Sequence, residues 1–419
     1  MDVMGKVRGA IKKLEQHLKV DLQYILKGGF WLSTGNSSSS LILLLLSLAY
    51  ANLLSKQTYG EYKYILSLCT LFSCLTLTGT NNSVTQAVAR GFEGTYERSI
   101  GWQLRWSILY AVAVVGTGVY YVFGGNPHIG YALVAAGLIN PFSLAFNTYI
   151  AFLNGRKDFK SLAAYNLLSS GFVATVSFAT VIFFPQSFAL VLANAAGNAV
   201  INLIIHLRTV QKFKPNEKVD EKAFSFAKHL SVLNIMGTIS GQIDSILVFH
   251  FLGAAQLAVY TFSTIFPDRL RGFTKVLQNL ALPKFSQQEH HVLRTTLPSK
   301  LWKFILLLVG LAAAYALLAP VFFHLLLPQY GASILLSQVY AISLVFGAST
   351  IPVAVMLAQR QQKNLYIFSG TAGAFQILMS VLLIPTYGLM GAVVAKILSG
   401  AYNLVLSYAL AFKKERLPS

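Results

Sequence analysis

Apolar residues run through this chain in long blocks, separated by charged or Pro/Gly-containing breaks. A helix needs about 20 mostly apolar residues to cross the hydrocarbon core of a bilayer, so each block predicts one transmembrane helix. The blocks lie at about 28–53, 62–88, 101–123, 129–153, 161–184, 187–207, 224–251, 254–283, 303–327, 332–358, 364–384 and 388–412. The fold class they predict is an all-α polytopic membrane protein of about 12 transmembrane helices. Composition agrees. A soluble domain carries roughly 25% charged residues, whereas here the charged share is 11%, the hydrophobic share 55% and the mean hydropathy +0.59. Soluble enzymes, DNA-binding domains and secreted scaffolds are excluded.

Lysine and arginine number 33 against 14 acids, a formal net charge of +19. In a soluble protein that excess points to nucleic acid; in a membrane protein the side on which each cation lies comes first. The breaks alternate sharply. One set, beginning with Lys6, Arg8, Lys12, Lys13, Lys19 and Lys27 and ending with Lys413, Lys414 and Arg416, holds 25 of the cations, and the other set holds Lys56 and Lys63. Loops rich in Lys and Arg stay cytoplasmic, so both termini are expected inside and no nucleic-acid partner is expected. The outer loops, around 54–61, 124–128, 185–186, 252–253, 328–331 and 385–387, are too short to hold an extracytoplasmic catalytic domain. Neither a Walker A run, a Rossmann glycine pattern, a catalytic serine motif nor metal-ligand spacing among the 8 histidines occurs. The chain is therefore expected to be no enzyme and to hold no cofactor or metal.

Residues 1–27 place Met4, Val7, Ile11, Leu14, Leu18, Leu22 and Ile25 three and four apart among lysines. That predicts a cytoplasmic amphipathic helix lying on anionic membrane lipid, without the apolar core of a signal peptide. The basic stretch 208–223 then divides the spans six and six: an N-lobe over 28–207, a linker over 208–223, a C-lobe over 224–412 and a tail over 413–419. LLSKQTYGEYKYILSL (53–68) lies over FLGAAQLAVYTFSTIF (251–266), pairing Tyr62 with Tyr260, as a parallel internal repeat would. Such a duplication fits an alternating-access transporter with its site between two bundles. Cys69 and Cys74 share one apolar block and read as small packing residues.

Ionisable groups inside spans are costly and mark function by default. In the eighth span Thr264, Asp268, Arg271, Lys275 and Gln278 recur at spacings of four and three, with Arg269 beside them, and Phe266, Leu270, Phe273, Leu277 and Leu280 share another face. One reading is a cationic wall on a water-filled cavity, where Arg offers forked hydrogen bonds and Lys a point charge to phosphate or carboxylate. The other ends the span near Asp268 and lays 269–283 along the inner surface. Lys396 sits among apolar residues well inside the last span, facing a cavity or reaching outward. The seventh span carries Asn234, Gly237, Thr238, Gly241, Asp244 and Ser245 on one face, and the first carries Ser33, Asn36, Ser37 and Ser40. Close helix packing and cavity lining both account for such faces. Asp244 is a candidate for proton or sodium coupling, or an internal partner for a cation.

"YGEY" (59–62), "LNGRKDF" (153–159), "QIDSILVFHFLGAAQLAVYTFSTIFPDRLRGF" (242–273) and "LALPKFSQ" (280–287) resemble the Wzx-type polysaccharide (O-antigen) flippases, in the superfamily that holds the MATE exporters and the lipid II flippases. The resemblance implies two six-helix bundles around a central cavity in a bacterial inner membrane. It further implies that undecaprenyl-diphosphate-linked oligosaccharide is moved from the inner to the outer leaflet, with Arg269 and Arg271 as the best-matched cavity cations. Lys275, Lys396, Gln278, Asn36, Asn234 and Thr238 complete the expected substrate-binding set, with Asp244 and Asp268 for ion coupling or charge pairing. A polymerase or glycosyltransferases are the protein partners such a role allows. A MATE-like exporter of drugs is the alternative, although organic cations call for more intramembrane acids than this chain offers.

Overall fold

The computed structural model describes residues 22–286, 290–359 and 361–412. The expected surface helix over 1–27 lies almost wholly outside them, as does the tail. Every regular element among the described residues is helical. The helices are α1 Leu22–Leu53, α2 Lys56–Phe72, α3 Thr80–Ala89, α4 Gly94–Phe123, α5 Pro127–Phe146, α6 Tyr149–Gly155, α7 Phe159–Phe183 and α8 Ser187–Phe213. They continue with α9 Ala223–Ser240, α10 Ile243–Leu252, α11 Ala254–Ser286, α12 His290–Leu326, α13 Ser333–Tyr340, α14 Thr350–Ala358 and α15 Gln362–Ala411.

Each apolar block of the sequence falls on a helix or on an interrupted pair. Among the described residues eight helical runs are long and apolar enough to cross a membrane, or nine if Lys56–Leu75 and Thr80–Ala89, bent by 56°, form one span. The interruptions have local causes. Gly388, at φ 59 and ψ −135, divides the 50 residues of α15 into two helices, a backbone conformation open to glycine at little steric cost. Gly253, at φ 87, ends α10. Helix α11 runs unbroken past Asp268, so 269–286 continues the eighth helix rather than starting a separate one.

The loop expected at 54–61 shrinks to Leu54 and Ser55, because α2 begins at Lys56. Ser55 accepts a hydrogen bond from the Thr58 amide at 3.1 Å, satisfying one of the orphan donors of a helix start. Glu61, a charge inside that helix, accepts from Gln57 Nε2 at 2.8 Å and from Ser187 Oγ at 2.9 Å. Lys63 therefore stands within a helix, not in a loop.

Contacts gather the chain into two compact units. Among the described residues, the first holds 22–49, Leu75–Phe184 and Ala189–Ser231, and the second holds Tyr50–Cys74, Pro185–Phe188 and those from Val232 to Phe412. In the first, Tyr96, Tyr149, Phe152, Ile201 and Ile205 belong to one buried cluster. Its segment after α8 is tied down: Arg90 pairs with Asp220, and Asn216 Nδ2 donates to the Gly91 carbonyl at 3.0 Å; nearby, Arg156 pairs with Glu93 at 3.1 Å.

In the second unit α2 packs against the start of α11, and the YGEY motif explains how. A Cβ at Gly60 would collide with the carbonyl of Ala254, so glycine lets the two backbones meet. Tyr59 stacks on Phe262 with ring centroids 4.7 Å apart, and Tyr62 is buried. Phe266 and Leu270 pack against Ala312, Tyr315, Ala319, Ala341 and Leu344, confirming the apolar face predicted for α11 where its side chains are described.

Candidate functional site

The second unit assembles the charges that the sequence leaves scattered. Asp244 lies in the first turn of α10, where the helix dipole favours an anion. It is 1% exposed, accepts a hydrogen bond from the Tyr260 hydroxyl of α11, and pairs through Oδ2 with Lys396 Nζ of α15 at 2.8 Å. Its other oxygen, Oδ1, is buried and has no hydrogen-bond partner among the described residues. The Lys396 ammonium lies 5.3 Å from the Tyr260 ring centre and 5.8 Å from that of Tyr340, within the range of cation–π attraction.

Tyr340 carries the chain of contacts onward. Its hydroxyl donates to Asp268 Oδ1 at 2.7 Å, and Arg271 Nη1, one turn further along α11, lies 3.9 Å from the same oxygen. Lys63 of α2 is half-buried and close enough to Arg269 and Lys396 to feel both positive charges. Asp244 and Asp268 thus face Lys63, Arg269, Arg271 and Lys396, and the cluster is net positive. Arg269 is exposed and makes no hydrogen bond or ion pair among the described residues.

Burial decides what each charge can do. Removing one partner from a buried ion pair leaves the other without compensation, so Asp244 and Lys396 depend on each other. Asp244, for which the sequence leaves ion coupling or charge pairing open, makes an ion pair with Lys396 in the structure. Arg269 and Arg271, by contrast, reach solvent-accessible space, where they can meet an anion.

The remaining sequence candidates divide. Thr264 is buried and Thr238 partly so, and both spend their hydroxyls on carbonyls of their own helices, Thr264 on Thr261 at 3.1 Å and Thr238 on Asn234 at 3.0 Å. Asn234 is exposed on α9. A Cβ at Gly237 would meet nothing, whereas one at Gly373 of α15 would strike Met236, so the close approach expected of the seventh span is made by the neighbouring helix. The side chains of Lys275, Gln278 and Asn36 lie outside the described set. Cys69 and Cys74 form no disulfide, and no cluster able to hold a metal occurs among the described residues.

Three members of the cluster escape a reading of the sequence. Lys63 counts there among loop cations because its helix opens with a polar run. Tyr260 enters only as the repeat partner of Tyr62. Tyr340 sits in an apolar block with no charged neighbour at helical spacing to flag it.

Comparison with known proteins places this geometry. The family model described as "Polysaccharide biosynthesis protein" matches residues 25–265. No curated protein matches the chain in sequence. Among solved structures, the lipid II flippase MurJ in an inward closed conformation is similar with a TM-score of 0.68 at 12% identity, over 90% of this chain and 86% of that one. A MATE transporter in complex with MaD5 gives 0.64 at 13% identity, over 94% and 96%. A transporter of the MOP superfamily from Pyrococcus furiosus, reported with a reversed polarity of its binding pocket, gives 0.62 at 14%, over 93% and 94%. The chain has the fold of these membrane transporters.

Proposed function

The chain belongs to the polysaccharide biosynthesis protein family, and from that premise we propose that it is a flippase for a lipid-diphosphate-linked glycan. It takes undecaprenyl-diphosphate-linked oligosaccharide from the inner to the outer leaflet of a bacterial cytoplasmic membrane, by alternating access and without covalent chemistry. The observation that carries this reading is Arg269, an exposed guanidinium with no hydrogen bond or ion pair among the described residues, in a net positive cluster of a span-forming unit. Arginine matches the paired oxygens of a phosphate in a forked geometry, and Arg271 stands two residues on to share the charge. Lys275 continues the same stripe.

Lys396 takes a different part. Held by Asp244, it cancels that carboxylate and leaves the surplus positive charge of the cluster on Lys63 and Arg269, rather than binding the lipid directly. An ion that drives transport through Asp244 has to take the place of the Lys396 ammonium. Both termini lie in the cytoplasm on this reading, where a polymerase or glycosyltransferases can meet the protein. The likeness to a lipid II flippase supports a lipid-linked cargo. The MATE likeness allows a drug exporter, but the carboxylate that would hold an organic cation is already neutralised by Lys396.

The test is leaflet exchange in proteoliposomes loaded with undecaprenyl-diphosphate oligosaccharide, scored by the accessibility of the glycan to an external lectin. Wild-type protein should accelerate exchange. Arg269→Ala should slow it by about tenfold, the cost of one charge-assisted contact, and Arg271→Ala by less because Asp268 shares its charge. Exchange indifferent to the protein overturns the reading and turns the search to drug efflux.

A further inference from the structure

The first unit contains a cleft of about 380 Å³ that takes no part in the charge cluster. That volume falls within the roughly 300–1,000 Å³ range of small-molecule pockets. Its walls come from α1, α5, α6, α7 and α8, and carry Ser39, Asn147, Asn166, Ser169, Ser170 and Asn198. Lysine, arginine, aspartate and glutamate are absent from the lining, whose apolar part is Leu43, Leu144 and Ile150 with the buried Tyr149 beside them. Helices α7 and α8 and the run Pro127–Gly155 are all long and apolar enough to span a membrane. The polar groups thus sit where the surrounding solvent is hydrocarbon.

Several of them are unspent. Ser39 Oγ is buried with no hydrogen-bond partner among the described residues. The side chains of Asn147, Asn166 and Ser170 make no hydrogen bond among the described residues, whereas Asn198 Nδ2 is turned back on the Asn194 carbonyl at 2.8 Å. An unpaired amide or hydroxyl at membrane depth costs free energy that water or a ligand must recover. The donor set then selects among ligands. A diphosphate calls for cations, and an organic cation calls for a carboxylate or an open aromatic face, whereas Tyr149 of the lining is only 1% exposed. Neutral amides and hydroxyls, which both donate and accept, match a group that does the same at several adjacent atoms. Such a group is an uncharged sugar, whose hydroxyls meet the asparagines while its C–H faces rest on Leu43, Leu144 and Ile150.

We propose that this cleft is a binding site for an uncharged sugar unit, separate from the anion-binding cluster. The cargo that delivers the sugar rests on the flippase reading; the chemistry of the cleft does not. Two probes separate the contributions: undecaprenyl diphosphate alone, and the same lipid carrying one N-acetylglucosamine, each titrated into full-length protein in nanodiscs. Asn166→Leu and Asn147→Leu should each weaken the sugar-bearing probe about tenfold and leave the bare lipid within twofold, since each removes the donor and acceptor of one amide. Ser170→Ala, which deletes a single oxygen and keeps the fold, should weaken it about threefold. Arg269→Ala should weaken both probes alike.

Equal effects on both probes, or none from any of the three cleft variants, would overturn the proposal. Where neither lipid binds wild-type protein the flippase reading fails, and free diacetylchitobiose decides the cleft alone. Binding that Asn166→Leu abolishes sustains the sugar site, and no binding removes it.

Discussion

The two packing units handle intramembrane polarity in opposite ways. In the first, the cleft is lined by serine and asparagine, and the pairing charges Arg90, Glu93, Arg156 and Asp220 sit at or beyond helix ends. In the second, Asp244 and Lys396 pair in the interior, and a line of tyrosines leads from them to Asp268 and Arg271. Neutral groups can be left half-satisfied at moderate cost and filled by water or ligand, while a buried charge must be compensated at once. The first unit can therefore offer an open, adaptable surface. The second holds a fixed electrostatic field whose outward-facing end, at Arg269, is free to act.

The sharpest way to break this comparison is at the buried pair. Lys396→Met leaves Asp244 at 1% exposure without its cation, and should destabilise the protein by about 3–5 kcal/mol. Asp244→Leu combined with Lys396→Met replaces both charges by apolar side chains of similar volume and should recover most or all of that loss. Thermal unfolding in detergent micelles reads both. A single variant as stable as wild type would mean that Asp244 is reached by water and that no compensation is needed.

The corresponding change in the first unit should cost less. Asn202, also buried, donates through Nδ2 to the carbonyl and the hydroxyl of Ser143, both at 3.2 Å. Asn202→Leu strands neutral acceptors only and should cost about 1–2 kcal/mol. If it proved as damaging as Lys396→Met, neutral polarity would not be the cheaper design and the contrast between the units would collapse.

Much of the fold is legible in the sequence because membrane spans are written as contiguous apolar blocks, and the 3–4 spacing of Thr264, Asp268 and Arg271 shows that they share a face. The site is less so. Asp244 and Lys396 are far apart in the chain, and nothing local to either shows that the last helix returns to the seventh. Lys63 is misplaced because a charge at the start of an apolar block reads as a loop, while in the folded chain Ser55 caps the turn before it and the helix runs on. The basic segment after α8 reads as a linker, yet it is pinned by Asn216 and Asp220 to the start of α4, through contacts that depend on two loops meeting.

The smallest effects are expected where the first unit does use charge. Arg90, with 59% of its side chain exposed, pairs with Asp220 in a setting where water competes for both groups, so Arg90→Ala should cost no more than about 1 kcal/mol. Arg156 has more to lose. It pairs with Glu93 at 3.1 Å and lies over the rings of Phe152 at 5.7 Å and Phe213 at 5.1 Å. Its guanidinium keeps cation–π and packing contacts that salt does not screen as it screens an exposed ion pair. Arg156→Ala should therefore exceed Arg90→Ala, by about 0.5–1 kcal/mol. Raising the ionic strength should erase the Arg90 effect and leave part of that of Arg156. Unfolding midpoints of the two variants at low and high salt measure the difference. Equal and equally salt-sensitive losses would show that the aromatic contacts of Arg156 contribute nothing, and that charge in this unit acts through solvent-exposed pairs alone.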